Sequence, residues 1–184
     1  MIQQRQQASL DTVMAFMGAM GAGEMEKMMS LMADNMVWHN EGDKSMPWIG
    51  PWEGKEAILK FLPVFCENFQ TTQWENTDAF ASGDTVAVFG KMNGITTHSG
   101  KEIGEFTFAL RAKVRDGQVV LWHWFEDSFA VRDCEIIKYQ FSGVPAPVRQ
   151  GVRRANSRLF NRRTTQQGRM QGRLKMIVNC FTIP

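Results

Sequence analysis

The chain has 184 residues, of which 43% are hydrophobic and 22% charged, and its formal net charge is +2. This balance is typical of one soluble globular domain, and no 18-residue apolar run predicts a membrane span. The charge is uneven, however. Residues 146–184 contain eight arginines and one lysine but no acid, whereas the rest contains twelve basic and nineteen acidic side chains. We therefore predict an acidic domain over residues 1–140 and a basic tail over residues 141–184.

The three cysteines are widely spaced. Cys66, Cys134 and Cys180 form no CxxC pair, which excludes a zinc ribbon and argues against a disulfide framework. A reducing cytoplasm is the expected location. Cys66 and Cys134 are predicted to be small buried hydrophobes.

Two helices are predicted at the start of the chain. The first covers about residues 6–20 and stops at Gly21-Ala22-Gly23. Residues 13–22 resemble a short signal-peptide core, but Asp11 and the helical spacing of the apolar side chains favour an amphipathic helix. The second helix is predicted over about residues 24–33, with methionines along one face as core filler.

The middle of the chain alternates between types of element. Residues 36–40 predict a short strand, and residues 41–54 predict a loop that contains Trp48 and Trp52. A third helix is predicted over about residues 55–69, where Pro63 should cause a kink or a break. Strands are then predicted at about residues 71–81 and 85–97.

A long hairpin follows. Apolar and polar residues alternate from Phe106 to Val114, Asp116-Gly117 supplies a tight turn, and a second strand runs from Val119 to about Phe129. Helices first and an antiparallel meander afterwards indicate an α+β fold. We predict a cone-shaped, strongly curved antiparallel sheet against N-terminal helices, a cystatin-like α+β barrel with a pocket between the layers.

Particular segments carry a family resemblance. They are residues 31–40 (LMADNMVWHN), Trp52-Glu53-Gly54, and Asp116-Gly117 followed by VVLW at residues 119–122. Over about residues 9–131 the chain resembles the SnoaL-like proteins of the nuclear transport factor 2-like superfamily. That superfamily includes ketosteroid isomerases, polyketide cyclases and limonene-epoxide hydrolases. The resemblance implies the cone fold and a small-molecule pocket, but the fold hosts many functions.

The catalytic groups of the ketosteroid isomerases are missing. Their tyrosine in the first helix corresponds to Phe16, and their general base corresponds to Asn40, whose amide takes no proton at neutral pH. Their second oxyanion donor would fall within residues 106–114, which contain no acid. These three mismatches rule out a steroid isomerase of that type.

The epoxide hydrolases match in part. Trp38-His39-Asn40 resembles their Tyr-x-Asn, so the asparagine is retained. Their Arg-x-Asp pair would fall at Gly90 and Met92, which cannot protonate an epoxide. The acid of their last strand aligns with Trp124, and the nearest acid on that face is Glu126, roughly 7 Å further along the strand.

The candidate site depends on the register of the last strand. If Trp122, Trp124 and Glu126 face inward, an apolar cup encloses one carboxyl, whose pKa should rise and suit a general acid or base. Asn40 would then orient the substrate or a water, and apolar side chains would bind the substrate: Phe16, Trp38, Trp52, Phe65, Met92, Phe108, Trp122 and Trp124. Alternatively, Glu126 is solvated at the mouth, or paired with Arg111 or Lys113. A shift by one residue would turn His123 and Asp127 inward as the catalytic pair.

No cofactor or metal is predicted. The sequence has no GxGxxG and no P-loop, its three histidines lack metal spacing, and His123, Glu126 and Asp127 would lie on two faces of a strand. The tail is predicted to be disordered. Its arginines leave nucleic-acid binding open, but among them only Phe160 is an interleaved aromatic residue, so such binding is not expected.

Two functions remain open on the sequence. One is acid–base catalysis on a small apolar molecule, of the cyclase, isomerase or hydratase type. The other is a non-catalytic module that binds a ligand or mediates dimerisation. Either way we expect a homodimer through the open sheet face, because Phe89, Phe125 and Phe129 would otherwise be exposed.

Overall fold

The computed structural model of the chain describes residues 2–97, 100–127 and 131. The basic tail, Cys134 and Phe129 lie outside the described residues. The helices are α1 (Ile2–Gly21), α2 (Met25–Ser30) and α3 (Lys55–Asn68). The strands are β1 (Met32–Asn40), β2 (Gly50–Glu53), β3 (Phe69–Ser82), β4 (Thr85–Thr96), β5 (Phe106–Arg115) and β6 (Gln118–Glu126).

The six strands form one curved sheet in the order β2-β1-β6-β5-β4-β3. The chain from β3 to β6 is the predicted antiparallel meander. One strand pair departs from the predicted antiparallel arrangement: β1 pairs with β6 in parallel, with His39 opposite His123. The helices pack against one face of this sheet, so the predicted cone-shaped α+β architecture is confirmed.

The boundary between α2 and β1 differs from the prediction. The second helix was expected to reach residue 33, but it ends at Ser30, and β1 begins at Met32. Pairing with β6 explains the difference, because Val119 N donates to the Leu31 carbonyl and Met32 lies opposite Val119. A strand partner thus overrides the local helical spacing of the methionines.

Other boundaries differ less. β2 lies within the segment predicted as a loop, where it pairs with β1. α3 continues through Pro63 without a break. β6 ends at Glu126, before the predicted end at Phe129.

The hairpin of β5 and β6 follows the prediction closely. Asp116 and Gly117 both have positive φ, 52° and 74°, as a tight two-residue turn requires. Leu110 and Ala112 lie opposite Trp124 and Trp122, and all four side chains are buried. This register decides which side chains of β6 face the helices.

Within the described residues, no helix is both long and apolar enough to span a membrane. Cys66 is buried, as predicted.

Candidate functional site

A cavity of about 30 Å³ lies between the inner face of the sheet and helices α1 and α3. Its lining is mostly aromatic: Met20, Trp38, Asn40, Trp48, Phe61, Phe65, Thr71, Trp74, Met92, Trp122, Trp124 and Glu126. Glu126 is the only ionisable group in this set. The cavity therefore combines an apolar wall with one carboxyl.

Three of the predicted substrate-binding residues lie behind the wall. Phe16 is fully buried, and its ring centroid is 5.0 Å from that of Trp122. Phe108 stacks on Trp124 with a centroid separation of 4.5 Å. Trp52 packs against Phe61, and its indole N–H donates to the carbonyl of Trp48 at 3.4 Å. These rings hold the lining in place without facing the cavity.

His123 and Asp127 do not line the cavity, so the alternative register is wrong. Trp122 and Trp124 face inward, and His123 between them points to the opposite face, where its ring stacks on His39. The period of two in a strand requires this separation. Asp127 lies beyond the end of β6 beside an outer depression that also contacts Phe89 and Phe125.

Glu126 is held by its neighbour on the same face of β6. The indole N–H of Trp124 donates to Oε2 of Glu126 at 2.8 Å. Although the residue keeps some exposed surface, burial raises the pKa of its carboxyl to about 7. The Trp124 hydrogen bond lowers this pKa and the charge of Asp127 raises it, but burial is the largest cause.

The alternative ion pairs of Glu126 are excluded by parity. Arg111 lies opposite His123 and Lys113 opposite Leu121, in the rows that alternate with the inward rows of Trp122 and Trp124. Their side chains therefore leave the sheet on the face away from the cavity. The catalytic role of Glu126 itself stays a prediction.

Asn40 is engaged by the protein. Its Oδ1 accepts a hydrogen bond from the Trp38 indole at 3.0 Å, and its Nδ2 donates to the Trp48 carbonyl at 3.0 Å. Two of its four hydrogen-bonding positions are thus occupied. Asn40 fixes the orientation of Trp38 and anchors the loop that carries Trp48, in addition to facing the cavity.

Two polar atoms of the wall lack a protein partner. Among the described residues, Trp48 Nε1 and Thr71 Oγ1 are buried and make no hydrogen bond. Buried polar groups are nearly always paired, and each exception calls for an explanation. Because both residues line the cavity, these atoms are available to a ligand bound there.

Five lining residues were not selected by the sequence analysis: Met20 on α1, Trp48 in the loop before β2, Phe61 on α3, and Thr71 and Trp74 on β3. Thr71 lies two residues after the apolar Phe69, so the period of a strand puts both side chains on one face, and both are buried. No comparable period exists in the loop around Trp48.

Gly90 explains one missing catalytic group. A Cβ at this position would lie 2.5 Å from the Phe108 ring and 2.2 Å from the Glu75 carbonyl oxygen. The position aligned with the epoxide-hydrolase arginine therefore has no room for a side chain. The Phe108 ring and the Glu75 carbonyl oxygen fill the space that such a side chain would need.

A curved sheet that encloses an apolar cavity beneath N-terminal helices defines the NTF2-like class of α+β proteins. The SnoaL-like domain family matches residues 13–122, more than half of the chain, and the chain belongs to this family. No curated protein matches the sequence.

Solved structures agree on the fold. An NTF2-like protein from Burkholderia xenovorans LB400 is 22% identical, with a TM-score of 0.63, and the match covers 70% of this chain and 96% of that one. TerC, co-crystallised with polyporic acid, is 20% identical, with a TM-score of 0.60 and coverage of 69% and 97%. An LEH-like epoxide hydrolase of M. tuberculosis is 15% identical, with a TM-score of 0.54 and coverage of 72% and 92%. At these identities the likeness concerns the fold alone.

Proposed function

We propose that this SnoaL-like protein binds a small, mainly apolar molecule in the cavity and performs cofactor-independent acid–base chemistry on it. The reaction would be a cyclisation, an isomerisation or a hydration. The observation that carries the proposal is a single carboxyl, Glu126, whose pKa of about 7 is set by its place on an aromatic cavity. Two solved structures of the same fold, TerC co-crystallised with polyporic acid and an LEH-like epoxide hydrolase, support a small molecule as the ligand.

Glu126 is the proposed proton carrier. A group with a pKa near 7 is populated in both forms at neutral pH, which is the optimum for general acid–base catalysis. The Trp124 indole fixes Oε2, so proton transfer is assigned to Oε1. The rings of Trp74 and Trp124 pack against each other with centroids 5.3 Å apart, and together they would offer an apolar ligand an aromatic surface beside Glu126.

The polar handle for the ligand is proposed to be the pair of Trp48 Nε1 and Thr71 Oγ1. Both can donate a hydrogen bond, and neither has a partner among the described residues. A carbonyl or enolate oxygen would accept these bonds, and preorganised donors of this kind stabilise developing negative charge. The proposed substrate is therefore an apolar molecule with one oxygen acceptor.

Entry of such a molecule requires a side chain to move. The cavity holds about 30 Å³, enough for roughly two waters. A neighbouring groove of about 250 Å³ shares Met20, Thr71 and Trp74 with it. Met20 is proposed to swing aside and join the two spaces, because methionine has flexible, adaptable rotamers.

The test is α-proton exchange of 2-tetralone, an apolar enolisable ketone, followed by NMR in D₂O. Wild-type protein should accelerate the exchange above the buffer rate, and Glu126→Gln should reduce that acceleration by at least about 100-fold. Asp127→Asn is the matched control. It removes a neighbouring carboxylate that does not line the cavity, and it should change the rate by less than about fivefold. Equal acceleration by wild type and Glu126→Gln would eliminate Glu126 as the proton carrier.

A non-catalytic ligand-binding or dimerisation module is the second candidate. The small cavity favours it, as does Gly90, where a catalytic side chain has no room. In that case neither wild type nor any variant accelerates exchange. Quenching of tryptophan fluorescence by 2-tetralone would then separate a binding protein from a purely structural one.

A homodimer through the outer sheet face is proposed for either function. Phe89, Ala109 and Phe125 form a row across three adjacent strands, and Phe89 and Phe125 are 41% and 39% exposed. Phe80, 58% exposed, stacks on Phe89 and extends the patch. Light scattering at micromolar concentration should give twice the chain mass, and Phe89→Asp should give a monomer. Ile2→Asp, at another exposed apolar residue, should remain dimeric.

A further inference from the structure

The outer face of the sheet carries a cluster of two histidines and one glutamate. His39 on β1 and His123 on β6 are register partners, and their rings stack with centroids 4.7 Å apart and planes 12° apart. Glu41 follows β1, and its Oε1 lies 2.9 Å from His123 Nε2 and 3.6 Å from His39 Nε2. One donor atom from each residue lies within 4.8 Å of the others.

We propose that His39, Glu41 and His123 form a binding site for a divalent first-row transition-metal ion such as Zn²⁺. Imidazole nitrogen and carboxylate oxygen are ligands that Zn²⁺ prefers, whereas Ca²⁺ and Mg²⁺ prefer oxygen alone. Donor atoms around tetrahedral Zn²⁺ are about 3.3 Å apart. The distances of 2.9 and 3.6 Å bracket that value, and the third donor pair needs an adjustment of at most about 1.5 Å.

The backbone places these ligands before any ion binds. Parallel pairing sets the two histidines side by side, and Glu41 N donates to the Trp124 carbonyl at 2.9 Å, which extends the ladder past Asn40. In a single chain the three side chains are 32%, 47% and 18% exposed for His39, Glu41 and His123, so an ion and its remaining water ligands could reach them beside the Phe125 end of the proposed dimer patch.

The two imidazoles would bind the ion through Nε2, the atoms that lie nearest to Glu41, so the ion would replace the direct contact between His123 Nε2 and Glu41 Oε1. Two imidazole nitrogens favour Zn²⁺ and Co²⁺ over cations that prefer oxygen ligands alone.

The test uses the full chain without an added histidine tag. Zn²⁺ is titrated by calorimetry, and Co²⁺ by visible absorption, which reports ligand type and coordination number. We expect about one ion per chain. His39→Gln, His123→Gln and Glu41→Gln should each weaken binding at least about tenfold, since even the loss of an outer-shell partner typically costs 10–100-fold.

Matched controls keep the result specific. His98→Gln removes the third histidine of the sequence, and Glu53→Gln removes an exposed glutamate of β2; both should bind as the wild type does. Glu126→Gln should also bind normally, because the metal site lies on the opposite face from the proposed proton carrier. Wild-type binding no tighter than that of the His39→Gln/His123→Gln double variant would overturn the proposal.

A second measurement does not depend on the folding of any variant. An anomalous-difference map from crystals soaked in Zn²⁺ should show a peak between the two imidazoles and Glu41. A map with its peaks only elsewhere on the chain would rule the site out.

Discussion

The Trp124 indole N–H donates to Oε2 of Glu126 across 2.8 Å, between alternate residues on the same face of β6. This bond opposes the effect of burial on the carboxyl, since it favours the ionised form. The proton affinity of Glu126 is therefore a balance between an apolar wall and one donor from that wall. Both influences can be changed separately by substitution.

Replacement of Glu126 by Gln should stabilise the protein at high pH only. The pKa of Glu126 is about 7 in the folded protein and 4.5 in the unfolded chain, so the folded form holds its proton more tightly. The wild type consequently loses free energy of unfolding as the pH rises from about 4.5 to 7. Glu126→Gln, which stays neutral, should exceed the wild type by about 1–3 kcal/mol at pH 8 and by little near pH 4.5.

Urea unfolding at several pH values measures this difference. Glu53→Gln, at an exposed position of β2, is the control and should change the free energy of unfolding little at any pH. A gap between Glu126→Gln and the wild type that does not vary with pH would contradict the raised pKa.

Trp124→Phe should raise the pKa of Glu126 above 7. The ring is kept but the N–H is lost, so burial acts without its main counterweight. Titration of the glutamate carboxyl carbon by NMR gives the pKa directly. Trp74→Phe is the matched control, because the Trp74 indole also lines the cavity but donates to Asn76 at 2.8 Å. Equal pKa changes in the two variants would refute the assigned role of the Trp124 hydrogen bond.

The parts of the fold that sequence predicted best are set by local patterns. Alternation along β5 and the Asp116-Gly117 turn fix the hairpin register, and with it the inward direction of Trp124 and Glu126. Both depend on residues that are close in sequence. The family resemblance then supplied the arrangement of helices over the sheet.

The parts that sequence did not predict depend on distant pairing. The parallel pairing of β1 with β6 puts His39 beside His123, 84 positions later, and no local period in the sequence predicts this pairing. Histidine spacing along the chain therefore predicted no metal ligands, although His39, Glu41 and His123 meet in space. Trp48 was also missed, because the conformation of a loop is set by its anchors, here the Asn40 amide.

Gly90→Ala and Gly18→Ala should have opposite effects on stability. At Gly90 the new methyl would overlap the Glu75 carbonyl and the Phe108 ring, and overpacking of this kind costs about 1–3 kcal/mol. At Gly18 in α1, a Cβ meets no described atom within 4 Å, and alanine in a helix is favoured by about 0.5–1 kcal/mol. Thermal unfolding of both variants measures the pair, and a stabilised Gly90→Ala would contradict the packing described for Phe108.

Thr71→Val should increase stability while it weakens ligand binding. The Thr71 hydroxyl is buried without a partner among the described residues, and its replacement by a methyl of similar size should stabilise the fold by about 1 kcal/mol. If that hydroxyl donates to a ligand oxygen, the same change should weaken the binding of 2-tetralone by about 5–10-fold. Urea unfolding and fluorescence titration of one preparation measure both effects.

Thr77→Val is the control for Thr71→Val. The exposed hydroxyl of Thr77 donates to the Phe89 carbonyl at 3.2 Å, so its loss should give no gain in stability and no loss of affinity. A Thr71→Val variant that is less stable than the wild type would show that the hydroxyl already has a partner, and the proposed polar handle would then reduce to Trp48.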